Sequence, residues 1–268
     1  MRRLDRWDWL GIALGGAAVV AFLLLTPSSL LRKADYLGAV VCHRMPEHSF
    51  FIAGRQLPVC QRCTGTFSAA LTAVLWQWLV WRRRDRAFPP LPVWLVMGAM
   101  ALPWFADGFN SFTAMRNGGV GALGYAPQPW LRLLTGALMG TVMGVVLVAA
   151  FNQSFWAEGR ADRAVVSGMR ELFTLVAVSL GVAALIYSRQ PWLLYPVSLY
   201  LALAIVALFT LLGAMVWVMA IGRENRYHRW RETIGALGWG LVFAAFIIGP
   251  MLMLRLFLTG TVDGVPGM

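Results

Sequence analysis

Apolar residues in this chain gather into seven long runs, separated by short polar or arginine-bearing segments. The runs fall at roughly 7–25, 64–81, 91–107, 130–151, 172–187, 192–221 and 234–258. Each is long enough, or nearly so, to cross a hydrocarbon core of about 30 Å. Each predicts a helix, because a lipid-exposed backbone must satisfy its hydrogen bonds within its own segment. The first run exceeds a signal-peptide core, has no small-residue cleavage site after it, and reads as an uncleaved anchor. Arg2-Arg3 lacks the rest of a twin-arginine signal. Ser188-Arg189-Gln190-Pro191 is the turn of a hairpin between the fifth and sixth spans, with Pro191 suited to the first turn of the next helix. Trp81, Trp130, Trp156, Trp192 and Trp230 fall near span ends, as an aromatic belt would. No internal repeat or low-complexity tail interrupts the pattern. The expectation is an all-α, polytopic transmembrane bundle of about seven spans, forming a single integral membrane domain over residues 1–268.

Composition strengthens this reading. Hydrophobic residues make up 59% of the chain and charged residues only 13%, against about a quarter charged in soluble domains. The net charge of +11 comes almost wholly from arginine, with Lys33 the only lysine. These basic residues lie between apolar spans, where they set orientation and meet lipid phosphates, so the expected partner is the lipid bilayer and not nucleic acid. Arg2, Arg3, Arg6, Arg82, Arg83, Arg84, Arg86, Arg160, Arg163, Arg170, Arg223, Arg226, Arg229 and Arg231 alternate, loop by loop, with a smaller set: Arg32, Lys33, Arg44, Arg55, Arg62, Arg116, Arg132, Arg189 and Arg255. The larger set is expected on the cytoplasmic side. That places the N-terminus inside, and the segment of about 26–63 outside.

This outer segment holds the chemistry. All three cysteines lie within residues 42–63, as Cys42-His43 and Cys60-x-x-Cys63. A Cys-x-x-Cys turn places two thiolates about one ion, Cys42 adds a third sulfur, and His43 or His48 could add a nitrogen. The expected metal set is Cys42, His43, Cys60 and Cys63, around zinc or another divalent ion. Gly54 and Pro58 help the intervening chain fold back. Arg44, Arg55 and Arg62 are expected to favour thiolate, as is the N-terminus of the second span beneath Cys60 and Cys63. Two other readings stand beside this one. Cys60 and Cys63 could form a structural disulfide in an oxidising compartment, or act in thiol–disulfide or quinone-linked exchange. The exchange chemistry of membrane oxidases uses a second cysteine pair, and here only one further cysteine exists. Thr64 follows Cys63, which disfavours covalent haem attachment. His228 falls in a basic loop, where it is solvated.

The run Cys-His-x-x-Pro-x-x-Ser-Phe, followed by Pro-Val-Cys-x-Arg-Cys-Thr-Gly, resembles a prokaryotic membrane-protein family known as domain of unknown function 2085. The family pattern continues with an Asp-Gly and an Arg-x-x-Thr-Gly, matched here by Asp107-Gly108 and by Arg132 to Gly136. The resemblance covers roughly residues 40–145. It implies a prokaryotic cytoplasmic-membrane location and supports the cysteine site, and it implies no activity. His48 stands where that family carries an arginine, which favours His43 as the shared ligand.

Asp107 and Asn110 are expected to end the third span on the outer side, where Arg132 begins the fourth. Ionisable groups at membrane depth are costly and often functional, so these three are the catalytic candidates. Asp107 could be a metal ligand, a partner of His43, a general base or one half of an ion pair with the arginine. Gly136, Gly140 and Gly144 recur on one helical face and predict close packing, with a transporter's sliding face as the alternative. Met139 and Met143 read as packing residues. Phosphate-loop, zinc-protease and nucleophile-elbow motifs are absent.

Overall fold

The computed structural model describes residues 4–81, 84–159 and 162–264. Among these, seven helices are long and apolar enough to cross a membrane: Arg6–Leu25, Gln61–Val80, Leu91–Arg116, Pro129–Phe155, Met169–Tyr187, Pro191–Ala220 and Trp230–Thr259. The all-α expectation holds, and the span positions agree within a few residues at most ends. The third span is the exception. It continues to Arg116, so Asp107 and Asn110 lie inside the helix and not at its end. Asp107, Asn110, Ser111 and Ala114 are buried on one face, while Phe105, Phe109 and Phe112 are exposed on the other. The polar residues face protein, and the apolar face remains available to lipid.

We label the helices α1 (Arg6–Leu25), α2 (Leu30–Val41), α3 (Gln61–Leu75), α4 (Leu91–Arg116), α5 (Pro129–Phe155), α6 (Met169–Tyr187), α7 (Leu194–Ala220) and α8 (Ile234–Thr259). Between α2 and α3 lies a two-stranded antiparallel hairpin, β1 (Ser49–Ile52) and β2 (Arg55–Cys60). The segment between the first two spans is therefore a short helix and a hairpin. Helix α1 starts at a reciprocal cap, in which Asp5 accepts from the Trp7 and Asp8 amides and Asp8 accepts from the Asp5 amide. Pro129 opens α5, where its missing N–H costs nothing.

The pair that positions the site is α3 against α5. A Cβ at Gly136 would lie 2.2 Å from the Arg62 carbonyl oxygen, and one at Gly140 would lie 2.1 Å from that of Thr66. At Gly144 the neighbour is the Ala70 carbonyl. The glycine face thus admits the α3 backbone directly, in the manner of small-residue contacts in membranes. Because successive α5 glycines meet successive α3 turns in the same order, the two helices run parallel. Their N-termini, carrying Cys63 and Arg132, lie side by side.

The loops bearing the larger arginine set meet at the opposite end. Ala87 bridges to Ala164 and Trp156 to Tyr227. Arg223 pairs with Asp5 at 2.6 Å, and Arg84 donates to the His228 carbonyl at 2.6 Å. Arg2, Arg3, Arg82, Arg83 and Arg160 lie outside the described residues. One element of the aromatic expectation is corrected here. Trp130 and Trp192 are exposed, but Trp156 is fully buried. It packs edge-on against Trp230 and Phe151, with the Arg84 guanidinium over its ring. Aromatic packing between loops, not a lipid interface, holds that residue.

Candidate metal centre

Three backbone devices bring the cysteines together. Cys42 ends α2 in an extended conformation, and Arg44 then takes a positive φ of 56°. That turn directs the Arg44 amide back to Cys42 Sγ at 3.4 Å. The hairpin reverses at Ala53-Gly54, whose φ values of 50° and 74° are those of a tight turn matched to strand twist. The register pairs Ile52 with Arg55 and Ser49 with Cys60. Phe50, Ile52, Leu57 and Val59 are buried against the α6–α7 end, including Ile186, Leu193 and Val197. Strand β2 runs directly into α3, so Cys60 is the residue before the helix and Cys63 lies in its first turn. The Cys60 amide also donates to Cys42 Sγ, at 3.1 Å.

As a result, the sulfurs of Cys42, Cys60 and Cys63 all lie within 4.8 Å of one another. All three are free thiols, with Cys42 and Cys60 buried. Hydrogen bonding from its two neighbours holds the Cys60 thiol well below its ordinary value. The hydrogen bond to Cys60, with burial, pushes Cys42 up to about 12. The trio therefore favours one thiolate, on Cys60.

The arginines expected to press on these thiols are engaged elsewhere. Buried Arg44 donates to Asp35 at 2.7 Å and to the Val262 carbonyl at 2.8 Å. Arg55 donates to the second Asp35 oxygen at 2.8 Å. The shared acceptor is one carboxylate, Asp35, that composition could not pair with them. Arg255, on α8, was not singled out by the sequence beyond its charge. It clamps the cysteine segment by donating to the carbonyls of Ala39 at 3.0 Å, His43 at 3.1 Å and Cys42. The one legible signal was an arginine within an apolar run.

The remaining candidates divide. His43 is exposed; its ring stands edge-on to His48 at 5.8 Å and is not part of the close donor set. Burial and the neighbouring charges of Arg132 and His43 push His48 down to about 4, which keeps its imidazole neutral at pH 7. Both histidines line a cavity of about 330 Å³ with Cys60, Arg62, Ser111 and Arg132. Asp107 is buried and pairs with Arg62, whose Nε lies 3.2 Å from Oδ2 and whose Nη2 also bonds that oxygen. The same guanidinium reaches the Asp107 carbonyl at 3.0 Å and Ser111 Oγ at 2.9 Å. Tyr125 donates to the other carboxylate oxygen at 3.3 Å. The ion pair foreseen for Asp107 thus exists, but its partner is Arg62 and not Arg132. Asn110 braces the α4–α5 loop, donating to the Tyr125 carbonyl at 3.0 Å and accepting from the Leu123 amide at 2.8 Å. His228 is exposed at the far end of the bundle, 2.8 Å from Glu158.

These features define a polytopic membrane protein with a cysteine cluster at one end of its bundle. Residues 42–146 match the family described as "Predicted membrane protein (DUF2085)", which bears out the resemblance over that segment. An "Uncharacterized protein" of Methanothermobacter thermautotrophicus is 37% identical over 76 residues, covering 28% of this chain and 64% of that protein. The "Uncharacterized protein MJ1492" of Methanocaldococcus jannaschii is 27% identical over 118 residues, covering 44% of this chain and 68% of that one. No solved structure matches the chain.

Proposed function

We propose that this chain is a single-domain integral membrane protein carrying a metal centre at the extracytoplasmic face of a prokaryotic cytoplasmic membrane. Cys42, Cys60 and Cys63 are the ligands and zinc is the first choice of ion, with His43 as the fourth donor. The observation that carries the reading is the convergence of three sulfurs from three separate backbone elements. Tetrahedral Zn–S bonds of about 2.3 Å place sulfurs about 3.8 Å apart, a separation within the 4.8 Å limit seen here. The two amides aimed at Cys42 Sγ suit a metal-bound thiolate, which accepts hydrogen bonds well. Soft sulfur donors favour zinc over magnesium or calcium. Bound zinc would brace the hairpin or, with one position open, act as a Lewis acid. His43 has to bring its ring toward the sulfurs to close the set. The second reading, thiol–disulfide exchange, is supported by the thiolate favoured at Cys60 between two thiols.

Protein purified without added metal is expected to hold about one equivalent of zinc, with three thiols that react only after chelation. A Cys60–Cys63 disulfide and no stoichiometric metal would transfer the assignment to the redox reading. Orientation has its own test. Reporter fusions after Arg86 and after Arg163 are expected to read cytoplasmic, and a fusion at Gly54 external. A cytoplasmic signal at Gly54 would reverse the topology and remove the oxidising-compartment argument.

A further inference from the structure

Arg132 is the charged group that the metal reading leaves unused. It lies in the first turn of α5 and is only 4% exposed. Its Nε is a buried donor without a partner, and its guanidinium makes no hydrogen bond or ion pair with any described residue. Among its neighbours in the cysteine segment, Arg44 and Arg55 are matched by Asp35, and Arg62 by Asp107. A guanidinium has five donors, no acceptor and a permanent charge, so burying one alone is costly. The site calls for an acceptor-only anion.

The surroundings have room for one and attract it. Arg132 lines the cavity of about 330 Å³ that also touches Cys60 and the two histidines. The parallel N-termini of α3 and α5 add their positive dipole ends beside it. Asp107, next in sequence to the lining residue Gly108, is already held by Arg62 and Tyr125. The rim is apolar: Phe112 and Met115 line the cavity and are exposed on α4. A cationic base with an apolar rim at the end of a span matches the depth at which phosphodiester groups lie. We propose that this cavity binds a phosphate oxyanion through Arg132, drawn from a phospholipid headgroup or from free phosphate. The proposal goes beyond the metal centre and does not require it.

The test uses the full chain in neutral detergent, titrated with inorganic phosphate and, separately, with mixed micelles containing phosphatidylglycerol. Thermal unfolding is the readout, and lipid phosphorus and metal are measured on the same samples. Wild-type protein is expected to be stabilised by at least one probe, and Arg132→Gln to bind it roughly tenfold to a hundredfold more weakly, as for lost charge-assisted hydrogen bonds. Since Arg132→Gln can disturb folding, Gly108→Val is the second variant. A Cβ at position 108 meets nothing nearer than Arg62 Nη1 at 3.6 Å, so the valine fills the cavity without displacing backbone. It is expected to lose phosphate binding and keep its metal. Stabilisation by inorganic phosphate assigns the free anion, and stabilisation by phosphatidylglycerol alone assigns the headgroup. No response of the wild type to either probe, or an undiminished response in Gly108→Val, overturns the proposal. A wild-type sample that binds phosphate through Arg132 but contains no metal overturns only the metal reading.

Discussion

Cys42→Ser is expected to release as much bound metal as Cys60→Ser or Cys63→Ser, and to loosen the hairpin to the same degree. The reason is that Cys42 Sγ sits among the other two sulfurs and organises the segment, receiving the amides of Arg44 and Cys60. A serine hydroxyl is a poor zinc ligand and a weaker target for both amides. Structural zinc contributes ~10–16 kcal/mol of folding free energy in small zinc-finger peptides. Losing one of its ligands should therefore exceed a typical core truncation of about 2–5 kcal/mol. Most of that loss should fall on residues 42–63 and little on the bundle, whose α3–α5 contact is independent of the sulfurs. Metal content and limited proteolysis of the hairpin are the measurements. In a protein whose essential feature is a Cys60–Cys63 bond, Cys42→Ser would be nearly silent while the other two would not. Equal effects at all three positions support one shared ion, and a silent Cys42→Ser sinks it.

The spans were legible because lipid leaves the chain few choices: a long apolar run must be a helix. The glycine face was legible for a related reason, since three glycines at four-residue spacing leave a groove that only another backbone fills well. The hairpin was harder to read. Its signal was the Ala53-Gly54 pair between two short strands, but β2 contains Pro58 and both strands are brief, so the stretch reads as loop. The limit of the third span failed differently. Asp107, Asn110 and Ser111 lower the local hydropathy and look like a helix end. Their spacing of three and four residues is that of one helical face, and that face is buried. The pairing of Arg62 with Asp107 joins positions 45 residues apart. A sequence shows that both charges exist and not that they meet. For the same reason Arg132 looked like the partner of Asp107, although the structure gives its guanidinium no hydrogen-bonded partner.

That pairing gives the second large effect. Asp107→Leu is expected to destabilise the protein by about 3–5 kcal/mol, the cost of leaving one charge of a buried pair uncompensated. Arg62 lies between Gln61 and Cys63 in the first turn of α3, and its side chain crosses to α4, where it bonds Asp107 and Ser111. Removing the carboxylate leaves the guanidinium with only the Asp107 carbonyl and Ser111 Oγ as acceptors. The Arg62 side chain is 19% exposed, so some rehydration is available and the effect should lie toward the lower end of that range. The double variant Arg62→Leu with Asp107→Leu removes both charges and should recover part of the loss, because an apolar pair of similar volume avoids desolvation altogether. Thermal unfolding of the two single variants and the double variant in one detergent closes the cycle. If the double variant falls by the sum of the singles, the two residues do not interact, and the link between α4 and the cysteine segment would then rest on helix packing alone. If it recovers, the same contact fixes the position of Cys63 from the neighbouring helix, and Asp107→Leu should also weaken metal binding without touching a ligand.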